Sequence, residues 1–577
     1  MQNVPNNQYT MYQDPESKVI TRHFVNLPGR QVHFRVAGSG PPLVLLHQSP
    51  TSSAEMATEL EWLAPDFTVI SPDSPGYGLS DPLDIDTPEL SHYAEALAEF
   101  LDALGIERVL IYGFHTGAMI GLEFGRLFPE RCALAVINGF VVLDDEERDE
   151  LLANYLYVPE PDSHATQLAW LWRRMLDQTI FFPWYKKERS ARMTLNAPPG
   201  AAIHRNLLDF LRAEKGGTIA YRAAFAYPTR ELAPQITAPM YFLNYARDPL
   251  STHPERLDAI PASVTREVPL AEPADVLERA REVLLEQDLA AVDLPRRSVG
   301  TADARLQKDI VNTSQGAVSV LRSAPGTSEA VLMLHDAGSS MQSLKGLADE
   351  LAAERPVVLL DLPGHGDTDR LHIPDLTPAT LIQLLDEVVA QLGLARIELV
   401  GFGASTVLAA AWSVSRSDLI KSLLLVDPWL FSEEEKRELR ARYTPDPTPG
   451  ECGEYLLRAW GFVRDSELFW PWYAPTADNS LGRDPDIDPA VLQARTVDVL
   501  KAGERFGALV AELLAYNLTD TLTRLQVPTT VGDRAGSRFD GRARQAAALN
   551  SAITHRELAA DRSGWGTVIA DLLTPNA

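Results

Sequence analysis

Cysteine occurs only twice in 577 residues, as Cys132 and Cys452. That excludes a disulfide framework and a cysteine-ligated metal cluster. Positive charge is also scarce: 52 Lys and Arg stand against 79 Asp and Glu, a net charge of −27. A surface this acidic repels phosphate backbones and anionic membranes, and no local basic patch offsets it, so neither nucleic acid nor a membrane is an expected partner. Long apolar runs are missing too; none approaches the roughly 20 residues of a membrane span. The opening Met1-Gln2-Asn3-Val4-Pro5-Asn6-Asn7 lacks the basic and apolar regions of a secretion signal, and the expected location is the cytoplasm. His164 and His253 fall in loops at no metal-ligand spacing, so the expectation is no metal and no cofactor.

What is present is length, a hydrophobic content of 45% and an internal repeat. The length is enough for two large domains or three to four smaller ones. Leu45-Leu46-His47 returns as Met333-Leu334-His335, Pro75-Gly76-Tyr77-Gly78 as Pro363-Gly364-His365-Gly366, Gly113-Phe114 as Gly401-Phe402, and Phe181-Phe182-Pro183-Trp184-Tyr185 as Phe469-Trp470-Pro471-Trp472-Tyr473. The offset is 288 each time (335 minus 47, 363 minus 75, 401 minus 113, 469 minus 181). A constant shift over so many segments marks a duplication. The expected organisation is a loose arm over 1–14, a first domain over 15–290, a linker over 291–304 and a second domain over 305–577.

Within the first copy, apolar strands near Gln31–Val36, Leu43–His47, Thr68–Ser71, Val109–Phe114, Ala133–Asn138 and Met240–Leu243 alternate with helices near Ala54–Leu63, Pro88–Leu104 and Met119–Phe128. That alternation predicts an α/β fold, a mostly parallel sheet covered on both faces. From about 141 to 236 the strand signal stops and helices near Leu168–Leu176 and Asn206–Glu214 carry clustered aromatics, as in an inserted helical cap. The matching cap of the second copy is expected over 429–525.

The apolar run Val109–Phe114 breaks at Gly113-Phe114-His115-Thr116-Gly117 before a helix, a strand–turn–helix corner with His115 at its tip. With His47-Gln48-Ser49-Pro50 and Asp73-Ser74-Pro75-Gly76-Tyr77-Gly78-Leu79-Ser80 in the same order, each copy resembles the α/β-hydrolase superfamily over essentially its whole length. The resemblance implies a nucleophile at the tip, an acid after the seventh strand and a histidine after the eighth, in that order. This chain departs from it. The first copy has His115 at the tip and Asp248 where the acid belongs, and no histidine follows His253 until His335. The loop that would carry the base, between the eighth strand near Thr265–Val268 and Glu272-Pro273-Ala274-Asp275, reads as deleted. In the second copy Gly403 holds the tip, Ser537 or Asp533 the acid position, and His555 lies inside the eighth strand. Ser405, two residues beyond that tip, reads as structural. The second domain is therefore expected to be catalytically degenerate and to pack on the first as a pseudo-dimer.

An imidazole at the tip is long enough to fill the space of the missing base. Oriented by Asp248, His115 would act as a general base, with the resemblance supplying a backbone oxyanion hole from Gln48 and Thr116. Base-initiated lyase, isomerase or water-activated hydrolase chemistry on a small, apolar or aromatic substrate follows, with His47, Tyr155, Tyr157 and Trp184 as expected pocket residues. Two alternatives stand beside it: a ligand-binding or regulatory pseudo-hydrolase without turnover, and an ordinary ester hydrolase using another serine such as Ser49 or Ser80.

Overall fold

The computed structural model describes residues 20–213, 215–294, 306–323, 327–373, 375–537, 539, 541–559 and 564–573. The arm over 1–14 and most of the linker lie outside the described residues. Two compact units divide the chain, one of residues 1–160 and 170–303, the other of 161–169 and 304–577.

The first unit is built on an eight-stranded sheet in the order β1-β2-β4-β3-β5-β6-β7-β8. Its strands are β1 (Thr21–Leu27), β2 (Arg30–Ala37), β3 (Pro42–Leu46), β4 (Thr68–Pro72), β5 (Val109–Phe114), β6 (Cys132–Asn138), β7 (Met240–Phe242) and β8 (Val264–Arg266). β1, β2 and β4 are joined antiparallel; from β4 to β8 every pairing is parallel. β3, β4 and β6 are buried along their whole length, as strands covered on both faces must be. The covering helices are α1 (Ala57–Leu63), α2 (Leu90–Ala103), α3 (Thr116–Leu127) and, at the C-terminal end, α9 (Pro273–Leu285). Between β6 and β7 the chain builds the cap from α4 (Asp145–Asn154), α5 (Thr166–Gln178), α6 (Gly200–Arg212), α7 (Ile219–Ala226) and the short α8 (Thr229–Leu232). The N-terminal β1 was not legible from the sequence, and α3 begins three residues before the helix expected at Met119.

The strand order places the site. From β3 the chain leaves to β4 on one side and returns to β5 on the other, so the loops after β3 and β5 part above the sheet. In parallel sheets the crevice at such a reversal, at the carboxyl ends of the strands, is where ligands bind.

The second unit repeats the plan with β9 (Leu306–Thr313), β10 (Gly316–Ser323), β11 (Glu329–Leu334), β12 (Val357–Leu360), β13 (Arg396–Phe402), β14 (Ile420–Val426), β15 (Thr529–Arg534) and β16 (Ile553–Leu558), in the order β16-β15-β14-β13-β11-β12-β10-β9. His555 lies on β16, with Nε2 3.5 Å from Asp533 Oδ2 on the neighbouring β15.

Candidate active site

Backbone packing decides what the corner after β5 must look like. A Cβ on Gly117 would stand 2.1 Å from the Leu46 carbonyl oxygen, and one on Gly113 2.5 Å from that of Gly117. Only glycine lets α3 start this close to β3, and the residue between is forced into a conformation that L-residues avoid: His115 has φ 47° and ψ −108°. Strain of this kind costs on the order of 1–3 kcal/mol and persists where the surrounding packing over-determines it.

The corner delivers the His115 ring to Asp248. Nε2 lies 2.8 Å from Asp248 Oδ2; the carboxylate side chain is fully buried, and the imidazole keeps 24% of its surface exposed. Asp248 is held in turn, its Oδ1 accepting from the Leu250 N–H at 2.7 Å. The Phe114 ring stacks on the imidazole at 4.1 Å. Burial alone would push the His115 pKa down; the Asp248 charge, its hydrogen bond and the charge of Glu55 outweigh that effect, and the pKa stands above its ordinary value. With Nε2–H committed to Asp248, Nδ1 is the nitrogen left to accept a proton.

Gly139, just after β6, makes room for this ring. Its φ is 75°, and a Cβ there would come within 2.6 Å of His115 Cδ2 and 3.1 Å of Nε2. In the second domain, where Gly403 replaces the histidine, the matching position holds Asp427 with φ 54°.

The ring opens on a cavity of about 260 Å³ between sheet and cap, walled by Tyr155, Phe182, Tyr221 and Phe225 from the cap and by Phe140 and Tyr112 below. Of the residues expected to line it, Tyr155 does, with 3% of its surface exposed. Three others are placed elsewhere. His47 is buried: its Nδ1 donates to the Gln48 carbonyl at 2.8 Å and its Nε2 accepts from the Ser74 N–H at 2.9 Å. It therefore braces one loop against another rather than facing ligand. Tyr157 is 61% exposed and meets Trp170 edge-on at 5.5 Å. Trp184 stands behind the cavity wall, its Nε1–H donating to the Tyr155 carbonyl at 3.2 Å. Ser49 lines the cavity but donates to the Tyr77 hydroxyl at 3.2 Å, and Ser80 accepts from the His33 N–H at 3.0 Å. Neither meets a histidine side chain among the hydrogen bonds of the described residues.

Two acidic residues that the sequence reading passed over belong to the wall: Glu55, on the short turn Ser53–Met56 after β3, and Glu59 on α1. Burial pushes their carboxyl groups up to about 7 and about 8. Glu55 accepts from Gln48 Nε2 and Thr51 Oγ1, each at 2.5 Å. The available signal was the spacing of four between Glu55 and Glu59, which places both on one face of a helical stretch over Ala54 to Leu63. Arg174 was also passed over. It is 1% exposed, stacked over Trp184, Phe210 and Tyr155 at 5.1 to 5.4 Å, and hydrogen-bonds Gln178.

The second domain shows the same corner in a filled state. Gly403 takes φ 55°, and Asp336, at the position of Gln48, turns its carboxylate into the corner, where Oδ1 accepts from the Ala337 N–H at 2.9 Å and the Ala404 N–H at 2.7 Å. Ser405 is fully buried and donates to the His335 carbonyl. Shifted by 288, those two N–H groups are the ones of Ser49 and Thr116. In the first domain the Gln48 side chain is drawn away to Glu55, and the Ser49 N–H makes only a 3.4 Å contact with Thr116 Oγ1. By position, the equivalents of that pair in the first domain are the N–H groups of Ser49 and Thr116, beside the Gln48 and Thr116 to which the sequence pointed. Among the described residues no group of three His, Cys, Asp or Glu is placed to hold a metal, and no helix is long and apolar enough to cross a membrane.

A central parallel strand ending in a strained one-residue corner, with a helical cap over it, defines an α/β-hydrolase-type domain, here present twice. Residues 41–158 match the family model described as alpha/beta hydrolase fold, and residues 331–565 the one described as alpha/beta hydrolase family. An uncharacterized protein of Mycobacterium tuberculosis is 36% identical over 110 residues, 19% of this chain and 32% of the relative. The 2-hydroxy-6-oxo-6-phenylhexa-2,4-dienoate hydrolase of Burkholderia cepacia is 28% identical over 127 residues, 21% of this chain and 44% of the relative. A hydrolase from Pseudomonas aeruginosa, of known crystal structure, aligns at 19% identity and a TM-score of 0.36, covering 46% of this chain and 97% of that one. The chain spans about a third of the length of the first curated relatives it matches. It is a tandem of two α/β-hydrolase-fold domains.

Proposed function

We propose that the first domain is an enzyme in which His115 is the general base, oriented by Asp248, acting on a small apolar or aromatic compound held under the cap. The observation that carries this reading is the 2.8 Å His115–Asp248 hydrogen bond at the floor of the cavity, on a strained backbone. With Nε2–H on the carboxylate, Nδ1 takes a proton from a substrate C–H or O–H, or from a water. The Ser49 and Thr116 N–H groups receive the enolate or alkoxide that forms, a contribution of about 3–4 kcal/mol per well-aimed donor in related sites. The reaction is then a base-initiated lyase, isomerase or water-activated hydrolase step, carried out with degenerate triads in both domains. A relative named for a phenyl-substituted dienoate accords with walls of Tyr155, Phe182, Tyr221 and Phe225. The second domain, its corner stoppered by Asp336, is read as non-catalytic.

The test is turnover of an aryl ketone and aryl β-hydroxyketone panel, including exchange of α-hydrogens in deuterated water. His115→Ala should remove activity, and Asp248→Asn should lower kcat by about 10²-fold or more. Wild-type rates in His115→Ala would refute the reading. A serine-directed fluorophosphonate should leave the protein unlabelled; clean labelling of Ser49 would restore the ester-hydrolase alternative.

A further inference from the structure

We propose that Glu55 is the general acid that works with His115, so that one cavity both removes and returns a proton; the proposal rests on the reading of His115 as the base. Both side chains line the same cavity, Glu55 from the loop after β3 and His115 from the corner after β5, on the two sides of the strand reversal. Glu55 is 7% exposed, and its two oxygens take one neutral donor each, Gln48 Nε2 and Thr51 Oγ1. No Lys or Arg forms an ion pair with it among the described residues; its two hydrogen bonds and the His115 charge favour the carboxylate, and burial outweighs them. The charged groups that face it are His115, Asp209 from α6 and, one turn further on α1, Glu59. Burial, with Asp209 acting against ionisation, brings the Glu55 carboxyl to about 7, where it is a competent acid at neutral pH. Glu59 adds a second sign that the wall is built for a ligand: its Oε2 is buried in the cavity lining without a hydrogen-bond partner among the described residues.

The duplication supplies an internal comparison. At the 288-residue shift, Ser343 and Leu347 stand for Glu55 and Glu59, and Gly403 for His115. The acid and the base are present together in one half and absent together from the other.

A base and an acid in one apolar chamber suit substrates that relocate a proton without consuming water, and a β-hydroxycarbonyl compound is the class that uses both. His115 Nδ1 takes the hydroxyl proton, the bond between the carbinol carbon and the α-carbon breaks, and its electron pair passes into the carbonyl as an enolate held by the Ser49 and Thr116 N–H groups. The Glu55 proton then goes to the α-carbon. The products are two carbonyl compounds; an imidazolium and a carboxylate remain, and one proton passing from the first to the second through solvent resets the site.

Two measurements test this. In protein carrying ¹³C-labelled glutamate, the infrared difference between wild type and Glu55→Gln should contain a protonated-carboxyl band that fades as pH rises through about 7. A carboxylate throughout the neutral range overturns the proposal whatever the turnover. With a fluorogenic naphthyl β-hydroxyketone, Glu55→Gln should lose about 10²-fold in kcat and the alkaline limb of the pH–rate profile. Glu55→Asp should restore that limb at a reduced rate. If Glu55→Gln keeps rate and limb while His115→Ala is inactive, the acid role falls and the base stands. If His115→Ala keeps the rate, the base reading falls instead. If wild type leaves the probe untouched, the infrared titration decides alone.

Discussion

Replacing Gly139 with alanine tests whether the first half is built around its imidazole. The added methyl would lie 2.6 Å from His115 Cδ2, against the 3.4 Å at which ordinary van der Waals contact begins, so the ring must yield by about 0.8 Å (3.4 minus 2.6). The hydrogen bond to Asp248 starts at 2.8 Å and does not survive a displacement of that size, since at 3.6 Å it ceases to count as one. A backbone φ of 75° adds a cost of roughly 1–2 kcal/mol for any residue with a Cβ. The expectation is a loss of about 1–2 kcal/mol in denaturant unfolding of the first domain and about a 10²-fold loss of kcat, the usual consequence of misplacing a reacting group by about 1 Å. Turnover is not the only readout. In nitrogen-labelled protein the His115 imidazole should titrate above its ordinary range in wild type; in Gly139→Ala, burial stays while the carboxylate partner is lost, so its pKa should drop below that of wild type. Asp427→Ala, the corresponding change in the second half, should leave the His115 resonance untouched. A Gly139→Ala protein whose His115 still titrates as in wild type would refute the reasoning.

Three further outcomes are expected. Gln48→Asp should copy the second domain's stopper into the first, its carboxylate accepting from Ser49 and Thr116 as Asp336 does from Ala337 and Ala404, and should abolish binding of 4-nitrophenolate, measured by its absorbance; unchanged binding would remove the anion hole from the account. The contribution of Glu55 to the stability of the first domain should fall as pH rises: its folded-state pKa of about 7 lies above its unfolded value, so the contribution present at low pH is lost from about pH 4.5 to 7, with His115 acting in the same direction and the buried His33, His47 and His253 in the opposite one, so that it is read as the difference between wild type and Glu55→Gln. Denaturant midpoints across that range check it, and Glu55→Gln should flatten the slope. Gly117→Ala, which drives a methyl to 2.1 Å from the Leu46 carbonyl oxygen, should destabilise the first domain, read as a drop in its denaturant midpoint, although the second domain admits Ser405 at this position.

The sequence spoke most clearly where one constraint acts alone. Packing that leaves no room for a Cβ at Gly113 and Gly117 left them as punctuation around His115, and the repeat at 288 residues carried the reading of the first sheet, β1 apart, over to the second. Asp248 was legible because its distance from Pro239 is set by a strand and a turn. The pocket was less so. Tyr157 and Trp184 stand out in the sequence as aromatic residues of the cap, yet aromatic character serves packing as well as lining, and the burial that separates them depends on the fold of α4 and α5. His47 was ambiguous for the same reason, since its partner Ser74 is 27 residues away. Glu55 escaped notice because a carboxylate on a surface helix and one turned into a cavity look identical until the register of the preceding turn is known.

Arg174 and its aromatic surroundings carry a different lesson. The position 288 residues on is Phe462, which meets Trp472 edge-on at 5.3 Å and Tyr443 at 5.8 Å, the counterparts of Trp184 and Tyr155. One box of rings therefore accommodates a guanidinium in one half and a phenyl group in the other. Shape and charge are set independently there, so the guanidinium inside the first box is a feature that a single substitution with an in-chain precedent can erase while leaving the architecture standing.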